Sequence, residues 1–175
     1  MIAGGGNIGL RVAQALENNY HIKIVEGQKQ RAEFIAGTLK SALVLLGDAT
    51  DESLLEKEGI EEMDLFLALT NDDEDNIMAA SLAKRLGAKR VVALINRRAY
   101  ADLVQGGPID IAISPAQISI GSLLAHVRRG DVAQVHSLRR GAAEALEIVV
   151  HGDEKNSNVV GKQISALPVI QGALI

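Results

Sequence analysis

The chain has 175 residues, of which 47% are hydrophobic but only 2% aromatic, and it contains no cysteine. Cysteine is needed for disulfides, thiolate metal sites and thiol catalysis, so all three are excluded, and the net charge of −4 argues against a nucleic-acid surface, which needs a basic excess. The sequence has no apolar run of membrane-spanning length and no signal-peptide pattern, so we expect a cytoplasmic protein without direct membrane insertion.

The first predicted strand is short, because only Met1, Ile2 and Ala3 precede the glycine-rich segment GGGNIG at 4–9. A Rossmann unit has a strand of about five residues at this place. We therefore expect a piece of a longer protein, with Met1 an added or internal start. Apolar runs without polar alternation follow, which is typical of strands buried on both faces. These runs lie at 22–26, 42–46, 64–70, 91–95 and 109–113.

Apolar residues at helical spacing separate these runs. Such patterns begin at Ile8, recur around Leu54 and Leu55, and continue from Ile77 to a stop at Gly87. Alternating strands and helices predict βαβ units and a parallel sheet. With the short first strand there are six predicted strands, the number in the Rossmann order 3-2-1-4-5-6. The predicted fold class is therefore α/β, a Rossmann-like doubly wound parallel sheet.

A further helix is predicted after the last strand. Ser114 is a favoured N-cap, Pro115 a favoured first helical residue, and an apolar stripe runs from Ile120 to Val127. This helix packs against a partner subunit or covers the same sheet, and we favour the partner subunit.

The sequence changes character after Gly130. A strand is predicted at 144–150 and a short helix at 159–167, while 169–175 run into the end of the chain. A segment of this size is near the lower limit for a stable core. We therefore expect a domain over 1–130, followed by the truncated start of a small α+β domain over 131–175.

The glycine segment satisfies G-x-G-x-x-G. Gly4 would allow a tight turn, Gly6 the close approach of a pyrophosphate, and Gly9 contact between helix and strand. Helix N–H groups would then hold the phosphates. Glu26 ends the second predicted strand, where a carboxylate accepts hydrogen bonds from the ribose hydroxyls of NAD and repels the 2′-phosphate of NADP. The alternative is that Glu26 lies on a surface turn by chance.

The ends of the third and fourth predicted strands add further candidates. Asp48 could bond an adenine amino group, with Ala49 beside the ring, or the segment could cap the next helix. Thr70 and Asn71 would lie across the crevice from the glycine loop, within reach of the second ribose or the nicotinamide.

Four acids follow at 72–75, and their side chains have two interpretations. Clustered oxygen ligands suit Ca²⁺ or Mg²⁺, whereas acids are ordinary in the first turn of a helix. The EF-hand spacing is absent, so we predict no metal. The acids are Asp72, Asp73, Glu74 and Asp75.

Catalytic groups are missing from the pattern. The four histidines are scattered, and neither Tyr20 nor Tyr100 is followed four residues later by lysine, as in short-chain dehydrogenases. We therefore predict no enzyme and no catalytic residue, but a module that binds a dinucleotide. Two alternatives remain open: a fragment of an NAD-dependent oxidoreductase or epimerase, and a dimerisation module with a vestigial site.

Several segments, together with Glu26, resemble the RCK (KTN or TrkA-N) domain family. They are GGGNIG at 4–9, GDATD at 47–51, LALTNDDEDNIMAASLAKRLGAKRV at 67–91 and IDIAISP at 109–115. Three others resemble, more narrowly, the C-terminal half of a regulator of bacterial potassium uptake in this family. They are NRRAYADLVQG at 96–106, AHVRRGD at 125–131 and SLRRGAAEALE at 137–147.

The resemblance implies a non-enzymatic regulator on the inner face of the cell membrane, built as dimers and tetrameric rings on a potassium-transporting membrane subunit. Bound NAD(H), or ATP and ADP, would gate transport. The binding residues implied are Gly4, Gly6, Asn7, Ile8, Glu26, Asp48, Ala49, Thr70 and Asn71, with Arg97 or Arg98 as a phosphate contact. Relatives that prefer triphosphates have arginine where this chain has Asn7, which favours a dinucleotide.

Overall fold

The structure is a computed structural model that describes residues 1–104, 107–127, 132–138, 143–153 and 155–167. Six parallel strands form one sheet in the order β3-β2-β1-β4-β5-β6. The predicted fold class and strand order are therefore confirmed. The strands are β1 (Ile2–Ala3), β2 (Lys23–Glu26), β3 (Leu43–Leu46), β4 (Phe66–Ala68), β5 (Val91–Leu94) and β6 (Ile111–Ile113).

Helices connect the strands. The sequence pattern located α1, α3 and α4, and it missed α2 and α5; α2 buries only Ala32 and Ile35. The helices are α1 (Asn7–Leu16), α2 (Lys29–Thr38), α3 (Glu52–Lys57), α4 (Asp73–Arg85) and α5 (Arg98–Leu103), with a 3₁₀ turn at Ile60–Glu62.

The short strand β1 lies in the middle of the sheet. Ile2 is in register with Ile24 of β2 on one side and with Leu67 of β4 on the other. The chain leaves β1 through Gly4, whose N–H donates to the carbonyl of Val25 at 2.9 Å. All six strands are parallel, so their carboxyl ends meet at one edge, and the order of the strands reverses beside β1. Ligands bind at such a point in open α/β sheets.

Two apolar clusters form the core. One is centred on Phe66 and includes Ala80 and Ala83 of α4; the other includes Ile24 and Ile35. Alanines let α4 approach the sheet closely, so a dense core forms from few aromatic residues.

The third strand is less buried than its sequence predicted. Leu43 and Leu46 are 49% and 54% exposed. The expectation of a strand buried on both faces is wrong here because β3 is an edge strand, which only one neighbour covers.

The chain divides into two compact units, Met1–Ala116 and Gln117–Ile175. The second contains most of helix α6 (Pro115–Val127) and an antiparallel pair, β7 (Val132–Leu138) and β8 (Ala143–Ile148). Strand β7 was not predicted.

The predicted strand at 144–150 corresponds to β8, and the predicted helix at 159–167 is reduced to a 3₁₀ turn at Ile164–Ala166. The predicted segment 169–175 lies outside the described residues. No helix in the described ranges is long and apolar enough to cross a membrane. The division into domains at residue 130 stays a prediction.

Candidate nucleotide-binding site

A cavity of about 760 Å³ lies at the carboxyl edge of the sheet. Seven of the ten predicted ligand residues line it: Gly4, Gly6, Glu26, Asp48, Ala49, Thr70 and Asn71. Asn7 and Ile8 are exposed at the start of α1 and are not among the lining residues. The side chain of Arg98 lies outside the described residues. The roles of all ten stay predictions, but most of them meet at one cleft.

Two glycines of the loop, Gly4 and Gly9, make close backbone contacts. Gly4 has a φ of +95°, and a Cβ there would lie 2.9 Å from the backbone nitrogen of Thr70. A Cβ on Gly9 would overlap the carbonyl oxygen of Gly4. A Cβ on Gly6, in contrast, would meet no atom within 4 Å. The fold therefore requires glycine at positions 4 and 9, while Gly6 faces open space.

Gly5, which the fingerprint leaves unspecified, is also constrained. Its N–H donates to Glu26 Oε2 at 2.7 Å, and its carbonyl accepts from Arg31 Nε at 2.7 Å. A Cβ on Gly5 would overlap the buried side chain of Ile35. Two side chains thus hold the backbone of Gly5, one through its N–H and the other through its carbonyl.

The carboxylate of Glu26 faces this loop. Besides the Gly5 bond, its Oε1 accepts from the N–H of Gln28 at 2.9 Å. A carboxylate has about four lone-pair directions, so both oxygens retain capacity for ribose hydroxyls. The position of Glu26 in the cavity wall argues against the alternative of an accidental surface turn.

The sequence left open whether the segment around Asp48 caps α3 or faces a ligand, and the structure assigns the cap to Asp51. Asp51 caps α3, because its side chain accepts from the N–H groups of Ser53 and Leu54. Asp48 lies in the cavity wall, where its Oδ1 accepts from the N–H and the hydroxyl of Thr50 at 2.8 and 2.7 Å. The side chain of Asp48, which is proposed to bond adenine, is therefore not used as a helix cap.

Asn76 positions Thr70 and was not among the predicted site residues. Its Oδ1 accepts from the backbone N–H and the hydroxyl of Thr70, each at 2.8 Å. Its Nδ2 donates to the carbonyls of Thr70 at 3.1 Å and Leu94 at 2.9 Å. The side chain is fully buried. An amide on the buried face of a helix was the available signal, since such a group needs several partners.

The acids at 72–75 do not converge. Asp72 caps α4, Asp73 turns to the loop after β5, and Glu74 pairs with Arg97 at 2.8 Å. Across the described ranges, no three His, Asp or Glu side chains come together as metal ligands would. Arg97 also donates to the hydroxyl of Tyr100 and is not among the residues that line the cavity.

Asp73 is a buried carboxylate with three hydrogen bonds. It accepts from the N–H of Asn96 at 2.8 Å, the side chain of Asn96 at 3.0 Å and the N–H of Arg97 at 2.8 Å. Burial is the largest single influence and raises the pKa of Asp73, but the hydrogen bonds from Asn96 and Arg97 together outweigh it, so the pKa is lowered. A lowered pKa means that folding favours the ionised form.

Replacing Asp73 by Asn should lower the free energy of unfolding by about 2 kcal/mol at neutral pH, because an amide cannot accept all three bonds. The contribution of a carboxylate with a lowered pKa is present above its unfolded pKa of about 3.9 and disappears as the pH falls through the folded pKa. Urea unfolding should therefore show a smaller difference between wild type and variant at a pH of about 3.

The exposed neighbour provides the matched control. Asp72→Asn makes the same chemical change, and Asn is as good an N-cap as Asp, so stability should change by less than about 0.5 kcal/mol. Equal effects of the two substitutions, or a difference for Asp73 that does not depend on pH, would contradict this account.

The chain is similar in sequence to potassium uptake proteins of the Trk system. A potassium uptake protein TrkA of the Trk system from Vibrio alginolyticus is 56% identical over 175 residues, and one from Halomonas elongata is 57% identical. Both alignments cover all of this chain but 38% of the relative, so the chain spans less than half of these proteins.

Solved structures show the same fold. The NAD(P)-binding domain of an exopolyphosphatase-related protein from Archaeoglobus fulgidus aligns with a TM-score of 0.64 at 16% identity, over 72% of this chain and 95% of that domain. The GsuK channel bound to NAD aligns with a TM-score of 0.62 at 18% identity, over 78% of this chain and 24% of the channel.

The narrower resemblance to the C-terminal half of the longer protein is not supported by these matches. The family model that matches is the TrkA-N domain, and its match spans residues 1–115. This range contains the sheet, the glycine loop and every residue that lines the cavity. The chain belongs to the TrkA-N domain family.

Proposed function

We propose that this chain is a nucleotide-sensing regulatory module of a Trk potassium uptake system and that the cleft binds NAD(H). The observation that carries the proposal is the open space over Gly6 with the carboxylate of Glu26 in the same cavity wall. A pyrophosphate would lie on the N–H groups at the start of α1, and the adenosine ribose would donate to Glu26.

The relatives support the potassium-transport part of the proposal. The TrkA proteins named above are potassium uptake proteins, and one channel of the same fold is bound to NAD. We propose a peripheral position on the cytoplasmic face of a potassium-transporting membrane subunit, in dimers and tetrameric rings. A ligand can gate such an assembly only by binding one conformation better than another. A tenfold preference supplies about 1.4 kcal/mol per site.

The site supports binding better than catalysis. The carboxylates that line the cleft are Glu26, Asp48 and Asp75. Glu26 accepts a hydrogen bond from the glycine loop, and Asp48 accepts hydrogen bonds within a turn. We therefore propose a sensor and not an enzyme. Calorimetric titration of the chain with NADH, NAD, ATP and ADP tests the proposal. We expect the dinucleotides to bind at least about tenfold more tightly than ATP and ADP. The proposal is lost if none of the four ligands binds.

Replacing Glu26 by Ala should weaken NAD binding by about 1–3 kcal/mol, because ribose hydroxyls would lose their acceptor. NADP should lose less or gain, since the negative charge that repels its 2′-phosphate is removed. The ratio of the two dissociation constants, measured by calorimetry, is the readout.

Glu33→Ala is the matched control, because Glu33 is an exposed carboxylate on α2 outside the cavity. It removes the same charge and should leave both affinities unchanged. An unaltered preference for NAD over NADP in the Glu26 variant would take Glu26 out of the site.

A further inference from the structure

Arg31 is a cleft residue to which neither the sequence pattern nor the family match gives a role. It lies in the first turns of α2 and forms part of the cavity wall. Its Nε–H donates to the carbonyl of Gly5 at 2.7 Å. Its guanidinium lies over the ring of Phe34, with 5.1 Å from Cζ to the ring centroid. The side chain is therefore fixed at one edge and covered on one face.

One polar group of Arg31 is left without a partner. Among the residues that the structure describes, its Nη2 is the one buried side-chain polar atom that makes no hydrogen bond. A buried N–H without an acceptor costs about 1–3 kcal/mol. Buried polar groups normally have a hydrogen-bond partner. Arg31 lines the cleft, so a ligand bound there could supply the acceptor for Nη2.

The neighbours of Arg31 indicate which part of a ligand would supply the acceptor. Glu26 accepts from the N–H of Gly5 and Arg31 donates to its carbonyl, so the two side chains lie at the same end of the cleft. The cavity wall there continues through Gln28 to Asp48 and Ala49, at the ends of β2 and β3. Thr70 and Asn71 follow β4, on the other side of the central strand. Arg31 thus belongs to the half of the cleft proposed for adenosine.

We infer that Arg31 binds the adenosine half of the ligand, with Nη2 donating to a ring nitrogen or ribose oxygen, while its Nε keeps the Gly5 peptide in place. This inference rests on the proposed function and adds a residue that determines specificity. It predicts that the affinity gained from Arg31 depends on the presence of adenosine in the ligand. A residue that only shaped the glycine loop would affect every phosphate ligand equally.

The test uses the 175-residue chain and displacement of NADH, followed by NADH fluorescence, with AMP and with nicotinamide mononucleotide. Each competitor has one phosphate, and only AMP has adenosine. Arg31→Gln should weaken AMP about tenfold and nicotinamide mononucleotide only about two- to threefold, because the Gly5 contact serves both competitors and the adenosine contact serves AMP alone. Arg31→Lys should recover little of the loss, because an ammonium group cannot serve both Gly5 and the ligand with the geometry of a guanidinium. Circular dichroism of each variant verifies that it is folded.

Lys29→Gln is the matched control, because Lys29 is an exposed cation two residues earlier on α2 and outside the cavity wall. It should leave both competitors unchanged. Equal losses for AMP and nicotinamide mononucleotide, an effect of Lys29→Gln as large as that of Arg31→Gln, full recovery with lysine, or no displacement by AMP would each overturn the inference. Failure of NADH to bind the wild-type chain would instead overturn the proposed function, and this inference with it.

Discussion

Replacing Gly6 by Ala should weaken NAD binding by about 100-fold, or about 2.7 kcal/mol, while leaving the fold intact. The added methyl group meets no protein atom within 4 Å, so it creates no clash in the free protein. It would occupy the space through which a pyrophosphate approaches the loop. Gly6 has a φ of −63°, which alanine adopts without strain.

Calorimetry and thermal unfolding separate the two effects. Alanine is a poorer N-cap than glycine, which lowers stability, but it also reduces the backbone freedom of the unfolded chain, which raises stability. The unfolding midpoint should therefore move by no more than about 3 °C. Gly37→Ala is the matched control, because a Cβ at Gly37 of α2 also meets no atom within 4 Å and Gly37 is not part of the cavity wall. It should leave binding unchanged and raise stability slightly. Normal NAD affinity in the Gly6 variant would show that the pyrophosphate does not lie on this loop.

Replacing Asn76 by Ala should have the largest effect on stability, about 3–5 kcal/mol. The substitution removes four hydrogen bonds and leaves groups of Thr70 and Leu94 buried without partners. For a chain of this size the unfolding midpoint should fall by roughly 10 °C. NAD affinity of the folded variant should also fall, because Thr70 loses the group that fixes its position in the cleft.

Asn71→Ala provides the comparison for this prediction. Asn71 is exposed and lies in the cavity wall, so its loss should change stability by less than about 0.5 kcal/mol. Urea unfolding followed by circular dichroism gives both values. Similar stabilities for the two variants would mean that the Asn76 network contributes little.

Much of the sheet follows from local chemistry. Continuous apolar runs predicted the strands, because a parallel sheet needs side chains that are apolar on both faces. The strand order followed from the number of strands, which is that of the Rossmann fold. The exposure of Leu43 could not be predicted, since the same apolar run suits a central or an edge strand. Helix α2 was missed for a related reason: buried Ala32 and Ile35 alone give it a weak apolar stripe.

Candidate site residues could be predicted from the sequence where their place is fixed by a short motif. Gly4, Gly6 and Glu26 were predicted because each stands at a fixed distance from a strand end, and all three line the cavity. Arg31, Gly5 and Asn76 were missed because their roles depend on partners far along the chain. Only the folded chain brings the carbonyl of Gly5 to Arg31, or Leu94 to Asn76.

Helix α4 connects the two sides of this arrangement. Asn76 ties it to the end of β4, and Asp73, one turn earlier, ties it to the backbone of Asn96 and Arg97 after β5. Both residues belong to α4, so this helix joins the cleft wall at Thr70 to the segment that leads into α5. A ligand that displaces Thr70 should therefore also disturb the backbone of Arg97, which lies outside the cavity wall.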